Sequence, residues 1–247
     1  MENFKNKKIL GIVGIRSGSK GVPDKNIREL SGKPLVGWIL ENAKRSKYIN
    51  RLVVSTDSEI YAQISKSFQA EIPCLRPKIF AQDKSTDLDY VKHMLLFLEE
   101  KEKYVPDIIV RMMATVPFQK TEDIDAVIEI LIKDKLADSA VVIAESRQHP
   151  QKALKIVDDK IHGKKLVSFF KESGREVTGI ARQCYEKAYF RGNIIACRLP
   201  IIKQTNSLTG DIVRYHIIPQ ERAIDIDNEI DFEICESILL SQNKKNH

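Results

Sequence analysis

Continuous apolar runs alternate with amphipathic stretches along most of this chain, and the alternation predicts its elements. Residues 9–15 form an apolar run rich in β-branched side chains, which is typical of a strand buried on both faces. Residues 87–103 place Leu88, Val91 and Leu95 on one side, which predicts a long amphipathic helix. The same criteria predict strands over 51–55, 72–75, 107–112, 139–144 and 193–198, a further segment over 212–218, and helices over 35–46, 58–69, 122–133 and 229–240.

The order of these elements predicts the fold class. Alternating strands and helices are typical of an α/β fold with a doubly wound, mainly parallel sheet and helices on both faces. The alternation breaks over residues 147–190, where the chain is polar, rich in lysine and interrupted by glycines. We interpret this stretch as an inserted arm within one domain spanning residues 1–247. Sheets of this class bind ligands at the carboxyl ends of their strands, so we expect the chemistry in the loops there.

Composition excludes several classes of protein. With 43% hydrophobic and 30% charged residues, the chain has the balance of an ordinary globular domain. Its first apolar run is far below the roughly 20 residues of a spanning helix and lacks the flanks of a signal peptide, so we expect no membrane partner. Four cysteines without a CxxC pair suggest neither a zinc site nor a disulfide framework, and a reducing cytoplasm is the expected location.

The formal net charge of +6 is concentrated at the two ends of the chain. Lysines within the first eight and the last four residues, less Glu2, account for +4 of it. Charged tails are usually solvated, and the body lacks a long basic stripe with interleaved aromatic residues. We therefore expect small anionic substrates and no nucleic acid.

The loop after the first strand, RSGSKGVPDKN, contains the most distinctive chemistry. Gly18 and Gly21 allow backbone N–H groups to approach an anion closely, and Arg16, Lys20 and Lys25 add three cations. Neither a Walker A sequence nor a dinucleotide GxGxxG is present. The content suits a polyphosphate, and a solvated basic turn is the alternative.

Two carboxylate motifs follow other predicted elements. Asp57, at the end of the strand over 51–55, is either a ligand at the binding edge or the N-cap of the next helix, which is the commoner role. Asp225 and Asp227 alternate with isoleucines, so in an extended chain both carboxylates project to one face. Paired oxygen ligands suit a hard cation such as Mg²⁺. The alternative is that Asp227 caps the last helix and Asp225 is merely exposed.

Together these residues resemble the acylneuraminate cytidylyltransferases, which make CMP-activated sialic acids and related nonulosonic acids. The loop RSGSKGVPDKN is similar to the family's first motif, and STDS, which contains Asp57, is similar to its second. The later motifs of the family are matched by Leu75-Arg76-Pro77 with Ala81, Asp83 and His93, by His149-Pro150 with Lys152, by Arg182-Gln183, and by Ile224 to Asp227 with Asp231-Phe232. The resemblance extends over about residues 9–240.

This resemblance implies a Rossmann-like, nucleotide-diphospho-sugar transferase-like fold and the transfer of CMP from CTP to the anomeric hydroxyl of a sugar acid. It implies that the nucleotide is held by Arg16, Ser19, Lys20, Lys25, Asn26, Arg76 and Ser85. It implies that the sugar acid is held by Lys152, Arg182 and Thr115. Asp225 and Asp227 would hold Mg²⁺ and, with Arg16 and Lys25, form the catalytic set. A homodimer is also implied, in which the arm reaches the partner's site.

Two departures from the family pattern leave alternatives open. Met113 and Gln119 stand where the family usually has Gln and Arg, and the family's Gln lies near the sugar. Arg191-Gly192-Asn193 stands where an Asn-Gly pair is usual. The alternatives are a CMP-octulosonate synthetase and a catalytically silent nucleotide-binding protein on the same fold. No side chain stands out as a general base.

Overall fold

A six-stranded sheet forms the centre of the computed structural model, which describes residues 7–161, 163–170 and 181–245, without the side chains of Arg182 and residues 243–245. The strands are β1 (Ile9–Gly14), β2 (Glu29–Leu30), β3 (Lys33–Pro34), β4 (Arg51–Ser55), β5 (Ile108–Met113), β6 (Ser139–Glu145), β7 (Leu154–Asp159), β8 (Gly163–Ser168), β9 (Tyr189–Arg198) and β10 (Val213–Ile218). The helices are α1 (Leu35–Lys44), α2 (Glu59–Ser67), α3 (Asp87–Glu102), α4 (Thr121–Lys133), α5 (Leu199–Thr205) and α6 (Glu229–Lys245).

The strand order of the central sheet is β10-β6-β9-β5-β1-β4. β1 pairs in parallel with β4 and β5, and β10 pairs in parallel with β6. β9 is inserted between β5 and β6 and runs antiparallel to both. The predicted α/β class with a mainly parallel sheet is therefore confirmed.

Helices cover both faces of the sheet, as the continuous apolar runs predict. In β1, Ile9 and Val13 pack in one buried cluster, which also contains residues of α1 and α4. Leu10 and Ile12 pack in a second cluster on the opposite face, with residues of α3 and α5. A strand whose two faces are both covered needs apolar side chains at every position, which is why the run does not alternate.

Several elements differ from the sequence prediction, among them the following three. The strand predicted over 72–75 is wrong, because this segment leaves the sheet after one isolated bridge between Val53 and Glu71, and Pro73 has no N–H to donate to a ladder. β9 begins at Tyr189, four residues before the predicted start. α5 was not predicted, and it starts immediately after β9 with Pro200 in its first turn, where a missing N–H costs little.

β7 and β8 form a separate antiparallel hairpin outside the central sheet. It lies within the stretch interpreted as an inserted arm, whose limits at 147 and 190 stay a prediction. Within the part of the chain that the structure describes, no helix is long and apolar enough to cross a membrane.

Candidate functional site

A pocket of about 340 Å³ opens at the carboxyl ends of β1 and β5, where the fold class predicts a ligand. It is lined by residues from the loop after β1, the segment before α3, the start of α3, the end of β5 and the chain before α6. Its lining residues are Gly14, Arg16, Ser19, Lys20, Gly21, Lys25, Asn26, Arg76, Phe80, Ser85, Thr86, Asp87, Tyr90, Met113, Thr115 and Asp227. All seven residues predicted to hold the nucleotide are among them.

The phosphate loop, which we define as residues 16–26, is anchored by Asp57. The backbone N–H of Ser17 donates to Asp57 Oδ1 at 2.8 Å, and its hydroxyl donates to Oδ2 at 2.7 Å. Burial raises the pKa of Asp57, but these hydrogen bonds outweigh it and keep the pKa below its ordinary value. The cap of α2 is Ser58, whose side chain accepts from the N–H of Tyr61. Asp57 is therefore not the helix cap, and its carboxylate fixes the loop.

Asp83 pairs with two of the three loop cations. Its Oδ1 lies 3.1 Å from Arg16 Nη2, and its Oδ2 contacts Lys20 Nζ. The hydrogen bond from Lys20 lowers the pKa of Asp83, and the nearby charge of Arg16 lowers it further. The cations that an anionic ligand would meet are thus balanced by a carboxylate from the segment before α3.

We use the name carboxylate strap for residues 224–228, which lie opposite the phosphate loop. The ammonium of Lys25, whose side chain is only 13% exposed, donates to the carbonyl of Ile226 at 2.5 Å and lies 3.3 Å from Asp227 Oδ1. A Cβ at Gly21 would lie 2.2 Å from the carbonyl oxygen of Asp227, so only glycine allows this approach. Loop and strap therefore pack directly against each other.

The strap has the alternation that the sequence predicts. Ile224 and Ile226 are buried in a third apolar cluster with residues of α6, and the N–H of Ile226 donates to the carbonyl of Thr115 at 2.9 Å. Asp227 is 77% exposed at its side chain and lines the pocket, whereas Asp225 does not line it. Asp225 Oδ2 accepts from Asn193 Nδ2 at 3.1 Å, and Asp225 Oδ1 is buried without a hydrogen-bond partner among the described residues.

These carboxylates fit a divalent cation. Magnesium in proteins is usually held by one or two carboxylates, with waters and substrate phosphates completing the shell. An unpartnered buried carboxylate oxygen, such as Asp225 Oδ1, is costly unless a cation meets it. Among the residues described, no group of three or more histidine, cysteine or acidic side chains is placed to hold a metal.

Arg76 is a buried residue of the pocket wall and is held by two contacts. Its Nε donates to Ser55 Oγ at 3.0 Å, and its guanidinium lies 4.5 Å from the centre of the Tyr90 ring. Burial lowers the pKa of Arg76 from the usual value of an arginine. Asn26 is also buried, and its Nδ2 donates to the carbonyl of Arg16 at 3.1 Å, which fixes the other end of the phosphate loop.

Two buried hydroxyls in the pocket lack a partner within the described chain. They belong to Thr115, which was predicted from the sequence, and Tyr90, which was not. Burial raises the pKa of Tyr90, so its hydroxyl remains a donor at any working pH. A Cβ at Gly14 would lie 2.4 Å from the Tyr90 ring, so glycine at the end of β1 makes room for that ring.

Sequence reasoning also missed Asp87, the first residue of α3. Its carboxylate lies 3.3 Å from Nη2 of Arg111, a buried arginine on β5. The sequence predicts Asp87 as the start of the helix over 87–103, and the capping box of Thr86 and Asp89 agrees with that start, but neither indicates a place in the site. No sequence pattern connects Arg111 with that position.

The structure does not bring all predicted sugar-binding residues together. Thr115 lines the pocket, but Lys152 is exposed in a short 3₁₀ turn and does not. The side chain of Arg182 lies outside the described part of the chain. The roles of these residues stay predictions.

Comparisons with known proteins agree with the resemblance found in the sequence. The sequence profile described as cytidylyltransferase matches residues 10–178. A protein of Campylobacter coli named post-translational flagellin modification protein B is 29% identical over 236 residues, which cover 95% of this chain and 96% of that protein. The CMP-N,N'-diacetyllegionaminic acid synthase of Campylobacter jejuni is 25% identical, over 95% of this chain and 96% of that protein.

An N-acylneuraminate cytidylyltransferase of Escherichia coli is 28% identical over 96% of this chain, and the chain spans only about half (54%) of that protein's length. Among solved structures, a CMP:2-keto-3-deoxy-manno-octonic acid synthetase superposes with a TM-score of 0.69 at 14% identity, covering 96% of this chain and 100% of that chain. At this identity the likeness shows the fold alone, and it confirms the predicted architecture.

Proposed function

Because this chain belongs to the cytidylyltransferase family, we propose that it transfers CMP from CTP to the anomeric hydroxyl of a nonulosonic, sialic-acid-like sugar acid and releases pyrophosphate. One observation carries the proposal: a single pocket joins the three cations of the phosphate loop to Asp227 of the carboxylate strap. The relatives named for N-acylneuraminate and for N,N'-diacetyllegionaminic acid support the substrate class.

Both substrates are anions, so the pocket has to supply positive charge. The anomeric hydroxyl attacks the α-phosphorus of CTP and loses its proton to water, the bond from that phosphorus to the bridging oxygen breaks, and pyrophosphate leaves in line. Arg16, Lys20 and Lys25 would bind the triphosphate and stabilise the charge that develops on it. Arg76 and Ser85, which line the same pocket, would position the nucleoside. Catalysis of this kind is mostly positioning and electrostatics.

Binding of the triphosphate would replace Asp83 as the partner of the loop. The carboxylate of Asp83 contacts Arg16 and Lys20, the cations assigned to the phosphates. A triphosphate has more charge than one carboxylate and competes for the same donors. The segment before α3 would therefore release the loop when CTP enters.

The divalent cation of the reaction would be Mg²⁺, held by Asp225 and Asp227 together with phosphate oxygens and water. When bound, it would neutralise phosphate charge and favour ionisation of the attacking hydroxyl. The unpartnered Oδ1 of Asp225 supports this assignment, as does Asp227 at the pocket wall. Lys25, in contact with Asp227, would connect the cation site to the phosphate loop.

The sugar acid would lie beyond β5, against Met113 and Thr115. Lys152 and Arg182 would reach its carboxylate from the arm of a partner subunit in a homodimer. Exposed apolar side chains on the β7–β8 hairpin support that assembly, because Ile156 is 70% exposed and its cross-strand neighbour Leu166 is 62% exposed. A cytoplasmic location fits four cysteines that are all free thiols.

The two alternatives receive less support. An octulosonate synthetase would be expected to have a metal-binding aspartate after the central strand, and Met113-Ala114-Thr115 offers none. A silent nucleotide-binding protein would not need the strap, yet the strap has both aspartates and the contact with Lys25.

Release of pyrophosphate from CTP tests the proposal directly. We expect release only when Mg²⁺ and one of a panel of sialic, legionaminic and pseudaminic acids are both present. Asp227→Asn should lower kcat by at least about 100-fold, because it removes a metal ligand, and Asp211→Asn, at an exposed aspartate elsewhere, should not change it. CTP binding without turnover on any sugar acid would overturn the proposal.

A further inference from the structure

An irregularity in β9 lies beside the carboxylate strap. The pairing of β9 with β6 passes from Val141↔Ile195 to Ile143↔Arg191, so that two steps along β6 face four along β9. Such bulges bend a strand and change the direction of the side chains within it, and they are common beside active sites. The extra residues include Gly192, where a Cβ would lie 3.0 Å from Val142 Cγ1.

Asn193 lies in this bulge and is held by two contacts. Its backbone carbonyl accepts from Nη1 of the buried Arg111 at 3.3 Å, and its side-chain Nδ2 donates to Asp225 Oδ2 at 3.1 Å. Arg111 is itself paired with Asp87 at the start of α3. The contact with Arg111 on β5 thus holds the backbone of Asn193, and its side-chain amide donates to Oδ2 of Asp225.

The two carboxylate oxygens of Asp225 differ in their hydrogen bonding. Oδ2 has a donor, whereas Oδ1 is buried with no hydrogen-bond partner in the described chain. A neutral amide orients a carboxylate without cancelling its charge, which an ammonium in the same place would do. Donors of this kind commonly hold metal ligands in their binding orientation.

We propose that Asn193 is a positioning residue for the cation site: it fixes the Asp225 carboxylate with Oδ1 turned to the cation. This inference rests on the proposed function, because it takes Asp225 as a ligand. The glycine before it is part of the arrangement, since a Cβ there would lie 3.0 Å from Val142 Cγ1 and would press on β6.

The test uses Mn²⁺ as a spectroscopic probe of the site in the full-length protein saturated with CTP, without sugar acid. Binding is followed by electron paramagnetic resonance for wild type, Asn193→Ala, Asn193→Leu and Asp225→Asn. Losing an orienting partner typically costs about 10- to 100-fold in metal affinity, and we expect this for both Asn193 variants. Leucine fills nearly the same volume, so a cavity alone would affect only the alanine variant. Asn50→Ala, which removes an amide at the opposite end of β1, is the control and should bind Mn²⁺ like wild type.

The double variants separate positioning from general structure. Combined with Asp225→Asn, either Asn193 substitution should add less than about twofold, because the group that it orients has changed. CTP affinity measured in EDTA should stay within about twofold of wild type. Wild-type Mn²⁺ affinity in both Asn193 variants, or an undiminished loss in the double variants, would overturn the inference. If Asp225→Asn itself binds Mn²⁺ like wild type, the metal assignment of the proposed function fails instead.

Discussion

Single residues in this site act mainly by holding other groups in place, and Asp57 is the clearest case. Its carboxylate accepts two hydrogen bonds from Ser17 and thereby fixes the start of the phosphate loop. Arg76 is held in the same way by Ser55, at the end of the adjacent strand. The side chains that would contact the substrate are therefore held in place by residues that would not contact it themselves.

Replacing Asp57 should weaken both the fold and the binding of CTP. We expect Asp57→Ala to lower the free energy of unfolding at pH 7 by about 2 kcal/mol, since hydrogen bonds to a charged group contribute about 1.5–3 kcal/mol. The KM for CTP should rise about tenfold because the loop loses its anchor. Urea unfolding and initial-rate kinetics measure the two effects, with Asp211→Ala as the control.

The stabilisation by Asp57 should depend on pH in a defined direction. Its pKa is lower in the folded chain than in the unfolded one, so the stabilisation is complete above the ordinary carboxyl pKa of about 4. It is lost as the pH falls through the lower pKa of the folded state. The difference in unfolding free energy between wild type and Asp57→Ala should therefore shrink between pH 5 and pH 3. A difference that grows in acid would contradict this account.

Elements meet at the site through close backbone contacts. The phosphate loop approaches the carboxylate strap at Gly21, and the strap is bound to the chain after β5 through Ile226 and Thr115. α3 contributes through Tyr90, whose ring occupies the space that Gly14 leaves free. Two of these approaches, at Gly21 and at Gly14, depend on a glycine whose reason is visible only when the second element is present.

Gly21→Ala should separate the loop from the strap. The new Cβ would overlap the carbonyl of Asp227, which belongs to the backbone and has little freedom to move aside. We expect kcat/KM to fall by at least about 100-fold, because a displacement of about 1 Å at a positioned site can cost that much.

Gly32→Ala is the matched control for this substitution. Gly32 has φ +78° and no atom within 4 Å of its hypothetical Cβ, so alanine there costs backbone strain of about 1 kcal/mol without a collision. Its melting temperature should fall while its kcat/KM stays within about threefold of wild type. Equal losses of kcat/KM in both variants would show that the close contact between loop and strap is not the reason for glycine at position 21.

At the scale of the whole molecule, the β7–β8 hairpin presents apolar side chains outside the central sheet. Phe169 and Phe170 follow β8 and are more than half exposed, as are Ile156 and Leu166 on the hairpin itself. Exposed apolar side chains that cluster in this way mark interaction surfaces. The proposed dimer would cover them.

Charges on the hairpin should therefore shift the protein towards a monomer. We expect Ile156→Lys combined with Leu166→Lys to halve the sedimenting mass in analytical ultracentrifugation, because burying two ammonium groups in an apolar interface is costly. Lys164→Glu on the same hairpin, which changes charge at an exposed polar position, is the control. A wild-type protein that sediments as a monomer at all concentrations would exclude the dimer.

The sequence by itself determined the class of the sheet and the kinds of residue in the loop after its first strand. Continuous apolar runs are required of strands covered on both faces, and glycines with cations after such a strand suit an anion, so β1 and the phosphate loop could be predicted locally. The alternation of Asp225 and Asp227 with isoleucines likewise follows from the period of an extended chain.

Only the tertiary structure decided which distant residues meet. The sequence shows neither that Asp57 holds Ser17, nor that Asp83 pairs with the loop cations, nor that Tyr90 lines the pocket. The sequence also does not predict that the side chain of Asn193 is oriented towards Asp225, because the bulge responsible for this orientation arises from the pairing of β9 with β6. Local periodicity specifies which face a residue takes, whereas these contacts depend on strand order and register, which are set by the packing of the whole chain.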